Sequence, residues 1–147
     1  MKIAIGCDEA AFDLKEEIRK FLIREGHHVD DFGAFDYSPV LYPDIAFLVA
    51  KSIMDGNNER GILLCGTGIG MAIAANKVSG IRAAVCHDAY SAERARKSNN
   101  AQIMTMGARV IGVELAKVLV DIWLKSEFQG GGSAEKIESA LQAIIWL

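Results

Sequence analysis

The 147-residue chain is short of several residue types, and each shortage argues against a class of protein. There are three cysteines, an odd number without disulfide-type spacing, so free thiols in a reducing cytoplasm are expected rather than a stapled secreted scaffold. The only two prolines, Pro39 and Pro43, fall in one apparent loop and mark no linker. Lys and Arg total 16 against 19 Asp and Glu, so no basic face for nucleic acid or an anionic membrane is expected. No apolar run approaches the length of a membrane span. The opening residues Met1 to Gly6 read as a strand rather than as a charged segment followed by an apolar targeting stretch, so no signal peptide is expected. No repeat is visible.

What is present is a balance of 51% hydrophobic and 24% charged residues, which suits one folded domain over residues 1–147. Residues 2–7, 28–32, 61–65, 81–86 and 102–106 read as strands. Residues 10–25, 44–54, 68–77, 90–98 and 113–125 read as helices. In the first helix Leu14, Ile18, Phe21 and Leu22 form an apolar stripe opposite Glu16, Glu17, Arg19 and Lys20, and Gly26 stops it. Leu115, Leu119 and Ile122 mark the buried face of the fifth helix. A sixth begins at a Ser133 cap and carries Ile137, Leu141, Ile144 and Ile145. Trp123 and Trp146 read as core or subunit interface. Glu93, Arg94, Arg96 and Lys97 read as a wet helix face.

Alternating strands and helices predict a three-layer α/β/α domain on a five-stranded parallel sheet. Ligands of such sheets bind at the carboxyl ends of the strands. Those ends carry Cys7-Asp8-Glu9, Cys65-Gly66-Thr67, Cys86-His87-Asp88 and Met106-Gly107. The run Cys65-Gly66-Thr67-Gly68-Ile69-Gly70 joins a buried strand to a helix, and its amides can converge on an anion. It is not a dinucleotide fingerprint, because the third glycine would fall at Met71. It is not a triphosphate loop, because no Gly-Lys-Ser/Thr follows. A thiol just ahead of a helix feels the positive end of the dipole, which favours thiolate. Such a thiolate can take a proton from carbon next to a carbonyl while the amides hold the oxyanion. Cys7, Cys65, Cys86 and His87 all stand at strand ends, but only Cys86 and His87 are closely spaced, so no metal is expected.

Gly6-Cys7-Asp8, Tyr42-Pro43-Asp44, Cys65 to Gly70, Ala74-Ala75-Asn76-Lys77, Gly80-Ile81-Arg82-Ala83, Asn99-Asn100-Ala101 and Gly107-Ala108-Arg109 occur in order along the chain. Together they resemble the type B ribose-5-phosphate isomerases and the related galactose-6-phosphate isomerase subunits. The resemblance implies a Rossmann-like sheet and a homodimer or dimer of dimers with the site between subunits. It implies isomerisation of a small phosphorylated sugar, of the ribose 5-phosphate/ribulose 5-phosphate type, through a cis-enediol without metal or cofactor. By the same resemblance Cys65 is the base, Thr67 moves a proton between O1 and O2, and Gly66, Gly68, Ile69 and Gly70 belong to the anion hole. Asp8, counted with the catalytic groups, and Tyr42 contact the sugar. Asn99 reaches it from the neighbouring subunit, and Arg109 binds phosphate.

The chain departs from the family pattern at four places. Glu9 stands where a phosphate-holding histidine is usual. Ser98 stands where a ring-opening histidine is usual. Gly130 to Ser133 replaces a stretch that supplies an arginine, and Lys136 takes the place of a second arginine. A tetrose 4-phosphate has its O4 esterified and cannot close a five-membered ring, so its isomerase needs no ring-opening group. The run Ser98 to Gln102 also looks like the branch assigned to erythrulose phosphates. A tetrose substrate is therefore the alternative to a pentose whose ring His87 or water would open. Two further alternatives are a nucleotide-binding module and a non-catalytic sugar-phosphate subunit. The intact Cys-Gly-Thr-Gly run argues against the second.

Overall fold

A computed structural model describes residues 1–143 of the chain. Five strands, β1 (Lys2–Cys7), β2 (His28–Asp31), β3 (Arg60–Cys65), β4 (Ala83–Val85) and β5 (Ile103–Gly107), form one all-parallel sheet in the order β2-β1-β3-β5-β4. Six helices connect and flank them: α1 (Phe12–Arg24), α2 (Tyr42–Met54), α3 (Ile69–Ala75), α4 (Ala89–Lys97), α5 (Val113–Lys125) and α6 (Gly132–Gln142).

The side-chain alternation of the strands builds two cores. Ile3, Ile5 and Cys7 of β1, Ile62 and Leu64 of β3, and Met104 and Met106 of β5 point to one face. There they meet Leu14, Ile18 and Leu22 of α1, Ala92 and Ala95 of α4, and Ala116, Leu119, Val120 and Trp123 of α5. Ala4, Leu63, Cys65 and Ile103 point to the other, against Ala46, Val49 and Ala50 of α2 and Met71, Ala74 and Ala75 of α3. Cys65 therefore closes β3 on the α2/α3 side of the sheet. The chain goes from β1 to β2 on one side and then crosses from β2 to β3 on the other side of β1, so the carboxyl ends of β1 and β3 form the switch point where ligands of such sheets bind.

Several local expectations are corrected. Pro43 lies in the first turn of α2, where its missing N–H costs nothing, and not in a loop. Leu115 of α5 is exposed, because the helix turns Ala116, Leu119, Val120 and Trp123 inward instead. Trp123 is fully buried in the core. Ser133 does not cap α6: Gly131 precedes the helix at φ 60°, a left-handed conformation that glycine adopts without a Cβ clash, and Ser133 sits inside the first turn. α6 buries none of its residues. Ile144, Ile145 and Trp146 lie outside the described residues. Arg96 is not on a wet face. It is buried, donates to the Ala101 carbonyl at 2.9 Å, and burial beside Arg60 pulls it down to about 10.

Lys15 is the least expected core residue. Its ammonium is fully buried and donates to both carboxylate oxygens of Asp31 (2.9 and 2.8 Å) and to the Ala34 carbonyl (2.6 Å). The rings of Phe12 and Phe35 flank it at 5.3 and 5.2 Å. It ties α1 to the segment after β2, and that segment is joined to the end of β1 by backbone bonds, Cys7 N–H donating to the Gly33 carbonyl and Ala34 N–H to the Cys7 carbonyl.

Candidate active site

The carboxyl ends of β1, β3 and β5 bring one set of residues together. Asp8 follows β1 and caps a single 3-10 turn, its Oδ1 accepting from the amides of Ala10 (3.0 Å) and Ala11 (3.3 Å). Its carboxyl is pushed up, chiefly by burial and then by the neighbouring Glu9 carboxylate, against a weaker pull from those amides and Arg109. Glu9 accepts the Val40 amide at 3.2 Å, so it fastens the segment leading into α2 over the end of β1. Amide hydrogen bonds from its own backbone and from Val40 hold Glu9 low, with Arg109 adding a smaller pull.

After β3 the chain enters the glycine loop. Cys65 is 6% exposed, and its Sγ accepts the Gly68 amide at 3.0 Å. The Thr67 hydroxyl is exposed and accepts the Ile69 amide at 3.2 Å. Gly68 can turn this sharply because it adopts φ 79°, and it lies so close to β5 that a Cβ would sit 2.8 Å from the Met106 backbone. Tyr42, at the start of α2, lays its ring over Gly70, where a Cβ would be 2.7 Å from the ring. The turn after β5 supports the loop from below. Ala108 N–H donates to the Cys65 carbonyl (2.8 Å) and Arg109 N–H to the Gly66 carbonyl (3.0 Å). The Arg109 guanidinium then folds back over Gly66.

Asp8, Glu9, Tyr42, Cys65 to Gly70 and Arg109 thus share one site within a single chain. Ser98, Asn99 and Lys136 do not join them. Ser98 ends α4, and its hydroxyl accepts from Arg94 Nε at 2.7 Å. Asn99 is exposed and lines a groove of about 370 Å³ with Asn76, Arg82, Ile137 and Leu141. Lys136 is exposed on α6. Among the described residues no hydrogen bond or ion pair joins any of the three to the Cys65 loop. A larger cleft of about 540 Å³, near Lys2, Ser52 and Asn58, lies at the amino ends of β1 and β3, away from this chemistry. Among the described residues no group of three His, Cys, Asp or Glu side chains is arranged to hold a metal.

Two connections were not visible in the sequence. One is the Glu9–Val40 bond. The other is His87, whose Nε2 accepts the Gly107 amide at 2.8 Å, so that the end of β4 reaches the turn carrying Arg109. Nothing in the spacing of either residue announces these contacts.

Residues 3–140 match the Ribose/Galactose Isomerase family. The chain belongs to that family. The chain is 58% identical to a D-erythrulose-4-phosphate isomerase of Pectobacterium atrosepticum, over 94% of this chain and 91% of that one. It is 57% identical to a ribose-5-P isomerase B of Listeria innocua, over 94% and 93%. Among solved structures, ribose-5-phosphate isomerase B of Clostridium thermocellum superposes with a TM-score of 0.98 at 46% identity, covering 99% of each chain. The Ribose/Galactose Isomerase family thus includes relatives named for a four-carbon and for a five-carbon sugar phosphate, both at nearly the same distance from this chain.

Proposed function

We propose that the protein is an aldose–ketose isomerase of a small phosphorylated sugar that works through a cis-enediol, with Cys65 as the base. The observation that carries this reading is the Cys65 sulfur at the end of β3, hydrogen-bonded by the Gly68 amide on a loop that carries the Thr67 hydroxyl and has the Arg109 guanidinium folded over Gly66. The thiolate takes the proton from the carbon next to the carbonyl and returns it to the adjacent carbon. Thr67 carries the proton between O1 and O2. Gly68 N–H is committed to sulfur and Ile69 N–H to Thr67, which leaves the amides of Gly66, Thr67 and Gly70 as donors for the enediolate oxygen. No step of this sequence calls for a metal or cofactor.

Asp8 caps a turn with one carboxylate oxygen and keeps the other for a sugar hydroxyl. Arg109 and, from the partner, Lys136 take the phosphate. The site is completed in a homodimer or dimer of dimers, in which Ser98 and Asn99 reach the neighbouring subunit's sugar. What supports this is their separation from the Cys65 loop of their own chain and the exposed apolar residues near the site mouth, among them Leu41, Phe47, Ile69 and Ile73. Three free cysteines fit a cytoplasmic setting. Among the described residues no helix is long and apolar enough to cross a membrane.

Ser98 favours a second, narrower reading in which the preferred substrate is a tetrose 4-phosphate. Its hydroxyl is held by Arg94 and does not titrate near neutrality, so it is a poor acid for opening a furanose ring. Comparing kcat/KM for erythrulose 4-phosphate and ribose 5-phosphate, then repeating it with Ser98→His, tests this. Preference for ribose 5-phosphate in the unaltered enzyme overturns the tetrose reading and leaves the isomerase reading standing.

A further inference from the structure

The Cys65 loop does not stand alone. It rests on the turn that ends β5, and the contact is close. Gly107 pairs with Cys65 in the β3–β5 register, and a Cβ at Gly107 would lie 2.7 Å from the Thr67 backbone. Ala108 and Arg109 then donate their amides to the carbonyls of Cys65 and Gly66. Any shift of Gly107 therefore passes directly into the positions of the thiol, the Thr67 hydroxyl and the Arg109 guanidinium.

The Gly107 amide is buried and has one acceptor, the Nε2 of His87 at 2.8 Å. β4 pairs with β5 from Ala83–Ile103 to Val85–Thr105, and Cys86 N–H continues the ladder to the Thr105 carbonyl at 2.9 Å. One residue further, the ladder ends and a side chain takes over the role of a backbone acceptor. Because the amide is a donor, Nε2 must present its lone pair, so the imidazole is neutral with its proton on Nδ1. An imidazolium has no lone pair there and cannot accept this bond.

We propose that His87 is a positioning residue for the isomerase reaction: its neutral imidazole holds Gly107, and through Gly107 the Cys65–Thr67 loop and Arg109, in the reacting geometry. Nε2 is thereby committed to the backbone, which removes it from service as the acid that opens a sugar ring. The ionisable neighbours are few. Asp88 follows it in the chain and acts on it electrostatically. Cys86 precedes it and is a neutral thiol, pushed up to about 12 by burial. Cys65 on β3 and Arg109 on the β5 turn flank the Gly107 amide itself.

The inference rests on the reading of Cys65 as base, and the test separates the two. Glutamine can place an amide oxygen near the position of Nε2 but does not titrate. His87→Ala leaves a buried amide without a partner, and its kcat should fall by about tenfold or more, with KM changed far less. His87→Gln should recover most of that loss. The Gly107 amide resonance should shift in His87→Ala and return toward its original position in His87→Gln, whatever Cys65 does. A His87→Gln variant as impaired as His87→Ala, a KM that rises as much as kcat falls, or a Gly107 resonance unmoved in His87→Ala overturns the proposal. The reading of Cys65 is judged apart, by the turnover of Cys65→Ala.

Discussion

At the scale of single residues, the three cysteines divide by environment. Cys7 and Cys86 are fully buried, and burial pushes both thiols up to about 12, so they stay neutral and inert at ordinary pH. Cys65 opens onto the site and receives an amide hydrogen bond. Iodoacetamide should therefore label Cys65 first, and a sugar phosphate should slow that labelling. Peptide mapping by mass spectrometry checks the order. Replacing Cys65 with alanine should lower kcat by on the order of 10²–10⁴, the usual range for a removed acid–base group. Near-normal turnover would end its assignment as base. Glu9 poses a different question, because it sets a carboxylate beside Arg109 where a phosphate is expected. Glu9→Gln can keep the Val40 bond while removing the charge. It should lower KM for phosphorylated substrates and leave kcat nearly unchanged, which steady-state kinetics would show.

At the scale of elements, the short segments between strands and helices carry the site, and they are held by groups distant in sequence. The Lys15 ammonium on α1 anchors the segment after β2, which runs on through Val40 to Tyr42. Lys15→Ala would leave the Asp31 carboxylate and the Ala34 carbonyl without their cation, and such a loss costs about 3–5 kcal/mol. Chemical denaturation should show that drop in stability. Lys15→Met, which keeps the stem between Phe12 and Phe35, should lose less than the alanine variant only if packing around the stem contributes. The glycine loop was legible from the sequence because its glycines are clustered after an apolar strand. The Lys15 anchor was not, because a lysine beside an apolar stripe reads as solvated until a carboxylate from another element is seen to meet it. The charge run on α4 misled in the same way: Arg96 is buried, its guanidinium turned back on the Ala101 carbonyl and 3.9 Å from the Glu127 carboxylate.

At the scale of the whole molecule, two behaviours follow. Glu16 is held low, first by its hydrogen bond from Arg19, and Asp88 is held low, first by its hydrogen bond from Ser91. A carboxyl whose folded value lies below its unfolded value stabilises the fold above the ordinary carboxylate range. That contribution is lost as pH falls through the depressed value. Asp8 is shifted the other way and works in the opposite sense. Glu9 is also held low, so with three groups against one, Tm should decline on acidification below about pH 4, where carboxylates begin to protonate. Thermal scans between neutral and acid pH test it. The second behaviour concerns assembly. If Asn99 serves the partner's site, Cys65→Ala and Asn99→Ala chains are each impaired alone, yet a hybrid dimer holds one site with both residues intact. Refolding the two variants together should restore activity, and no restoration would place Asn99 outside the shared site.

The sequence by itself determined the layered architecture, the parallel sheet and the glycine loop with its cysteine. Each of these rests on local signals: apolar runs, helical stripes, and glycines where backbone must turn or come close. Tertiary structure alone decided the strand order that puts β1, β3 and β5 side by side. It also decided the burial of Lys15 and Arg96, the Glu9–Val40 clasp, the His87 prop under Gly107, and the separation of Ser98, Asn99 and Lys136 from the loop. These depend on which elements become neighbours after long connections close. A hydrogen bond between residues 20 or 31 positions apart leaves no periodic trace in the chain, because its partners share a place in space and not a local pattern.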